Sequence, residues 1–242
     1  MTNVERTQAL RNALRPLYAN LLDSIKKYDY SKAIFCAQWG TSFPIEQNTG
    51  IVFVGRATNG WITDSESIDV LFGDDPDAIF NRDDQMEWVE NLSGNMDGYN
   101  TRKSSFWRII RNVSSHFYPD NWFSYIAWSN LCKVAPWVGG NPNDALFDAQ
   151  FQDCEQILQT EIRILSPKVV VLLTGQSWAR DFLKYLNRNQ DTNSGCEVSW
   201  DDYECNVYKI GDITYILTEH PQGKKEDEHT KCLIELITKT IH

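Results

Sequence analysis

The sequence is short of positive charge. Its 23 Lys and Arg face 33 Asp and Glu, a formal net charge of -10 at pH 7 with histidine neutral. Proteins that grip nucleic acid by neutralising phosphates are usually basic, so the bulk charge argues against that partner. Long apolar runs are missing as well. Val169 to Leu173 is the longest and is strand-sized, far below the roughly 18 residues of a membrane span. No apolar core follows Met1-Thr2-Asn3-Val4-Glu5-Arg6, which excludes the pattern of a signal peptide. The six cysteines, at 36, 132, 154, 196, 205 and 232, form no C-x-x-C. They also make no zinc-like or iron–sulfur-like group with histidine. These residues call for no metal and no cofactor. Reduced thiols in a cytoplasmic protein are the expectation. The alternative is that Cys196 and Cys205 face each other across a hairpin.

What is present is enough apolar material for a core. The 242 residues are 42% hydrophobic and 12% aromatic, which excludes a disordered chain and a small disulfide scaffold. Leu10, Leu14, Leu17, Leu21, Leu22 and Ile25 recur at helical spacing and predict an amphipathic helix over 4–27. Residues 28–50 read as loop. Ile51-Val52-Phe53-Val54 reads as a buried strand ending at Gly55. Helical patterns cover 76–91 and 104–116. Phe123 to Trp128 reads as a second strand, and 144–165 as a long helix ended by Ser166-Pro167. A third strand follows over Lys168 to Leu173, then a helix over 176–188. A hairpin around 196–210, a strand over Ile213 to Leu217 and a last helix over 228–241 complete the chain. Continuous apolar strands alternating with helices predict a sheet buried on both faces. With no repeat, low-complexity tract or linker, residues 1–242 read as a single domain. The predicted architecture is a three-layer α/β/α sandwich around a mainly parallel four-stranded sheet.

Ligands of open parallel sheets bind beyond the carboxyl ends of the strands. Four such ends carry distinctive polar residues here. They are Gly55-Arg56-Ala57-Thr58-Asn59-Gly60-Trp61, Ser129-Asn130 with Lys133, Thr174-Gly175-Gln176-Ser177, and His220-Pro221-Gln222-Gly223-Lys224. An Asn and a His at strand ends supply directional hydrogen bonds to a flat heterocycle. Each also has a plain structural reading: Asn130 as a turn former, His220 as a residue approaching a helix, Gly55 as a strand terminator.

In order and spacing, several segments together resemble the uracil-DNA glycosylase superfamily over roughly 50–241. They are Ile51 to Gly55, Ser105-Phe106-Trp107-Arg108-Ile109-Ile110, Ser129-Asn130-Leu131-Cys132-Lys133, Pro167 to Gly175, and His220-Pro221. The resemblance implies a flipped base bound at the end of a four-stranded parallel sheet. It implies that Asn130 pairs with the edge of the base. It implies that His220 bonds the base carbonyl and stabilises the departing anion. A residue of the first-strand turn would handle water, and a downstream ring, Trp61 or Phe72, would stack on the base. Gly55, Arg56, Ala57, Thr58 and Lys133 would line the same site. Family members place Asp, Glu or Asn within two or three positions of the turn glycine, usually followed by proline. Here Arg56 and Ala57 stand there, then Thr58. Arginine stays protonated and is no base, which leaves Asn59 to orient water. An arginine pointing into the pocket would suit an anion.

Three functions follow as expectations. The first is hydrolysis of the N-glycosidic bond of a damaged or deaminated base in DNA, with Asn59 and His220 as the catalytic pair. The second is a non-catalytic module of the same fold that holds a nucleobase or nucleotide. The third is a serine hydrolase, because Gly175-Gln176-Ser177-Trp178-Ala179 follows a strand as a nucleophile elbow does. Ser177, Asp201 or Asp212, and His220 would be its triad; the plain reading of Ser177 is a helix cap. Arg102, Lys103, Arg108 and Arg111 form either a phosphate-contacting edge or a solvated helix face. Glu226-Asp227-Glu228 reads as the acidic first turn of the last helix. Ten of the acids fall between Asp64 and Glu90 against one base, Arg82. The remainder is close to neutral. Residues 64–90 therefore read as an acidic insertion, placed close to the pocket, where it would repel phosphates.

Overall fold

The computed structural model describes residues 2–28, 31–44, 50–59, 67–75, 78–81, 85–90, 100–186 and 193–241. Helix α1 spans Asn3–Ser24. Thr2 caps it and exchanges hydrogen bonds with Glu5 in a capping box. Leu10, Leu14, Tyr18 and Leu21 form its buried stripe. Strands β1 (Lys32–Ile34), β2 (Gln38–Trp39) and β3 (Ile51–Gly55) follow, so the 28–50 region is not all loop. Short helix α2 is Asp69–Phe72, and α3 is Ser105–Phe117. Strands β4 (Ile126–Asn130) and β5 (Val134–Pro136) precede α4 (Asp144–Leu165). The chain then runs through β6 (Val169–Leu173), α5 (Gln176–Leu186), β7 (Asn193–Trp200), β8 (Tyr203–Ile210), β9 (Ile213–Thr218) and α6 (Glu226–Ile241).

The main sheet runs β2-β4-β3-β6-β9-β8-β7. Its centre, β4-β3-β6-β9, is parallel, which matches the predicted four-stranded unit. Antiparallel β2 extends one edge and the β7–β8 hairpin the other. The hairpin register pairs Cys196 with Val207 and Val198 with Cys205, so Cys196 and Cys205 are not cross-strand partners. Cys205 instead approaches Cys232 of α6, sulfur to sulfur at 3.7 Å.

Alternation sorts the central strands into two cores. Val52, Val54, Ala127, Val170, Leu172, Tyr215 and Leu217 pack with α1, α4 and α5. Ile51, Phe53, Ile126, Trp128, Val169, Val171 and Ile216 pack with α3 and α6. Both faces are dry, which is why the strands read as unbroken apolar runs rather than alternating ones.

The described parts of the insertion depart from the predicted helix. They form α2 and two 3-10 turns, 79–81 and 87–89. Phe72 packs between Tyr18, edge to face at 5.2 Å, and Phe80, tilted at 4.7 Å, and Phe80 meets Trp39 of β2. Arg11 and Arg15 of α1 both donate to the Phe72 carbonyl. Met86 and Val89 then enter the opposite core, and Trp88 Nε1 donates to Gln38 Oε1 at 3.0 Å. The described residues before and after 82–84 thus meet opposite faces of the sheet, Phe72 and Phe80 in one core and Met86 and Val89 in the other. Of the described residues, 69–81 lie against α1 and β2, whereas 85–90 lie against α3 and β4, where Trp88 meets the Trp107 and Trp128 rings and Glu90 pairs with Arg111. Among the described residues, no helix is long and apolar enough to cross a membrane.

Candidate functional site

The parallel strands all end on one side, and their turns are bonded together there. The Leu131 N–H donates to the Gly55 carbonyl at 2.9 Å and the Cys132 N–H to the Arg56 carbonyl at 2.8 Å. The Gly175 N–H donates to the Thr218 carbonyl at 2.9 Å. Gly175 holds φ at +81°, a conformation that favours glycine.

Gly55 is glycine because of what crowds it. A Cβ there would overlap Asn130 Oδ1 and lie 3.2 Å from the Phe106 ring. Asn130 is 1% exposed, and its Nδ2 has no hydrogen-bond partner. A buried amide donor left unpaired costs free energy unless a ligand satisfies it.

His220 follows the end of β9. Its Nδ1 accepts from the Gln222 backbone N–H at 3.3 Å. Its ring lies nearly parallel to Phe106, with centroids 6.4 Å apart and an interplanar angle of 15°. Burial, and then the charges of Arg56 and Lys224, pull its pKa down to about 4. The ring is therefore neutral at pH 7. With Nδ1 accepting, the proton sits on Nε2, which is a donor. Gly55, Asn130, Phe106 and His220 thus gather on the α3 side of the sheet. Phe106 carried no signal as a pocket wall in the sequence, because an aromatic in a helical pattern reads as core.

The other predicted residues scatter. Arg56 is half-buried and turns to the opposite side. Its Nε donates to the Thr174 carbonyl at 2.6 Å, and its guanidinium lies 5.5 Å from the Trp178 ring centroid. Ala57 is half-exposed. Thr58 is buried, with its hydroxyl unpartnered. Asn59 is exposed, and its Oδ1 accepts from the Gly140 N–H at 2.9 Å. Trp61 lies outside the described residues. Phe72 is 1% exposed in the α1 core, so it is no stacking ring for this site. Lys133 is fully buried against Glu161 at 2.7 Å and does not line the mouth.

The surface charges are largely committed. Arg108 pairs with Glu226, while Arg102 and Arg111 approach Glu90 at 3.9 and 3.3 Å. The basic cluster is therefore laced to acids rather than a free phosphate-contacting edge. Lys224 reaches Glu219 at 3.8 Å and lies 4.7 Å from the Tyr203 ring centroid. The serine triad is not assembled. Ser177 is exposed in the first turn of α5. Asp212 sits in the β8–β9 turn, at the far end of β9 from His220. Asp201 is held by Lys225 at 2.6 Å. His220 Nδ1 is an acceptor here, whereas a triad histidine donates from that atom to its carboxylate. His229 is buried, stacked on Trp200 at 3.9 Å with Nε2 3.0 Å from Thr218 Oγ1. Among the described residues, no three His, Cys, Asp or Glu gather as a metal site.

Fold and site together define an α/β protein with a cluster of hydrogen-bonding groups beyond the carboxyl ends of a parallel sheet. The family model that matches the chain is that of the uracil DNA glycosylase superfamily, over residues 31–237. The chain belongs to that superfamily. Membership supports a glycosylase-like or related function. A search of curated proteins returned no match.

Proposed function

We propose that the protein hydrolyses the N-glycosidic bond of a damaged or deaminated base in DNA, as a repair enzyme would. One observation carries this reading: a neutral His220, with Nε2–H as its donor, stands in one cluster with the unpaired Asn130 amide. A flipped base would pair its edge with Asn130 and pack against the Phe106 ring. His220 Nε2–H would donate to the base carbonyl on which charge develops as the glycosidic bond breaks. A neutral donor suits this role, since it stabilises an oxyanion without surrendering a proton.

Water falls to the turn Ala57-Thr58-Asn59. Asn59 Oδ1 already accepts from the Gly140 N–H, so Nδ2 and the second lone pair of Oδ1 are what it offers to water. Neither Arg56 nor Ala57 is a base. The rate therefore depends on how stable the departing anion is, and a more acidic leaving base such as 5-fluorouracil should leave about tenfold faster than uracil. The test is excision from oligonucleotides carrying uracil, 5-fluorouracil, hypoxanthine or a mismatched base, read as abasic product. His220→Ala should lower the rate about 100-fold or more while DNA affinity changes little. Absence of product from every substrate overturns the reading.

A second reading is favoured by the cation that replaces the family's carboxylate. Arg56 stands in the first-strand turn, held to Thr174 and Trp178. On this reading the cluster binds a nucleobase or nucleotide without turnover. Binding of free base that Asn130→Ala weakens, with no abasic product, would establish it.

A further inference from the structure

Beneath the Asn130 turn lies a sealed polar cluster that base recognition does not touch directly. Lys133 Nζ donates to Glu161 Oε2 at 2.7 Å, to Ser129 Oγ at 2.7 Å and to the Asn130 carbonyl at 2.8 Å. Ser129 Oγ donates to the same Glu161 oxygen at 2.6 Å. Every proton of the ammonium is used. The side chains of Lys133 and Glu161 are 0% and 1% exposed. Strand β4 supplies Ser129, the following turn Lys133, and α4 Glu161.

Stability is a poor reason for such a cluster. Desolvating two charges offsets most of their attraction, and apolar residues of similar volume replace buried ion pairs with little loss. The cluster is also incomplete, since Glu161 Oε1 has no partner. What it does hold is one peptide. Lys133 grips the Asn130 carbonyl, and the N–H at the other end of that same peptide, that of Leu131, donates to the Gly55 carbonyl.

We propose that Lys133 and Glu161 are positioning residues for Asn130: the buried ammonium, oriented by the carboxylate, fixes the peptide whose side-chain amide reads the base. The functional part of this inference rests on the excision reading above. The geometric part stands apart from it. A site held loosely by about 1 Å loses rate without losing the fold.

The test uses the full-length protein with Lys133→Met and Glu161→Leu together, so that no buried charge is left alone. The thermal midpoint should stay within about 5 °C of the parent. The 1H–15N side-chain amide pair of Asn130 should shift or broaden. Uracil excision should fall about tenfold or more in kcat, with KM within about twofold. An Asn130 amide pair that superposes on the parent's overturns the proposal. An unchanged kcat overturns it too. A collapse of the thermal midpoint assigns the pair to stability and also overturns it. If the parent excises no base, the excision reading fails, and the Asn130 amide pair alone decides the positioning role.

Discussion

At the scale of single residues, the site turns on an absent side chain. Gly55 lets the Asn130 amide and the Phe106 ring reach the strand end. Gly55→Ala inserts a methyl group where Asn130 Oδ1 sits, and the neighbouring backbone is pinned. Overpacking of this kind costs about 1–3 kcal/mol. We expect that loss in urea unfolding, together with loss of excision or base binding, because the displaced group is Asn130 itself. A fully active Gly55→Ala protein would show that the crowding is harmless. Gly55, Asn130 and His220 were legible in the sequence because each ends or follows an apolar run, and parallel strands bring such ends together. Lys133 was misread because residue type does not reveal burial: a cation near a pocket and a cation sealed under it look the same in sequence. Asn59 and Arg56 fall in the right turn but are claimed by Gly140 and Thr174, contacts that cross loops and leave no local pattern.

At the scale of elements, alternation is the organising rule. It separates two cores along β3, β4, β6 and β9, and it carries on past the strand ends, sending Arg56 toward Trp178 and Gly55 toward Phe106. The long strands and helices were legible for the same reason. β1 and β2, with three and two residues, are too short to show a period, so their sequence reads as loop. The 76–91 pattern was apolar enough to suggest a helix, but its rings are spaced to reach two different cores. Arg11 and Arg15 clasp the segment to α1 through the Phe72 carbonyl, and Arg15 also pairs with Asp69 at 2.7 Å. These contacts are partly exposed, so removing both arginines should cost about 1–2 kcal/mol. Arg11→Ala with Arg15→Ala should lower the unfolding free energy in urea by that amount, seen as a lower midpoint at unchanged slope, and speed proteolytic cleavage between 64 and 90. Unchanged cleavage would mean that Phe72 and Phe80 hold the segment alone.

At the scale of the whole molecule, the charge deficit takes on a location. Of the described acids of the insertion, Asp69 pairs with Arg15 of α1, and Glu90 with Arg102 and Arg111 at α3. Protons bear on the fold through the histidines instead. His229 is 0% exposed and burial pulls its pKa down to about 3, against about 6.5 in an unfolded chain. Between those values the unfolded state binds a proton that the folded state refuses. Stability then rises with pH across the window, and falls as pH drops from about 6.5 toward 3. Carboxylates titrate mostly below pH 5, so the interval from 6.5 to 5 isolates the histidine contribution. There, one such group contributes at most about 1.4 kcal/mol per pH unit. Urea unfolding at pH 7.5, 6.5 and 5.5 should show the parent losing stability on acidification. His229→Gln should lower that slope by about half a proton averaged over the range, and by about three-quarters of a proton between pH 6.5 and 5.5, whatever it does to stability at pH 7.5. Equal slopes would mean that His229 gains its proton inside the folded protein, and that the stack on Trp200 tolerates an imidazolium.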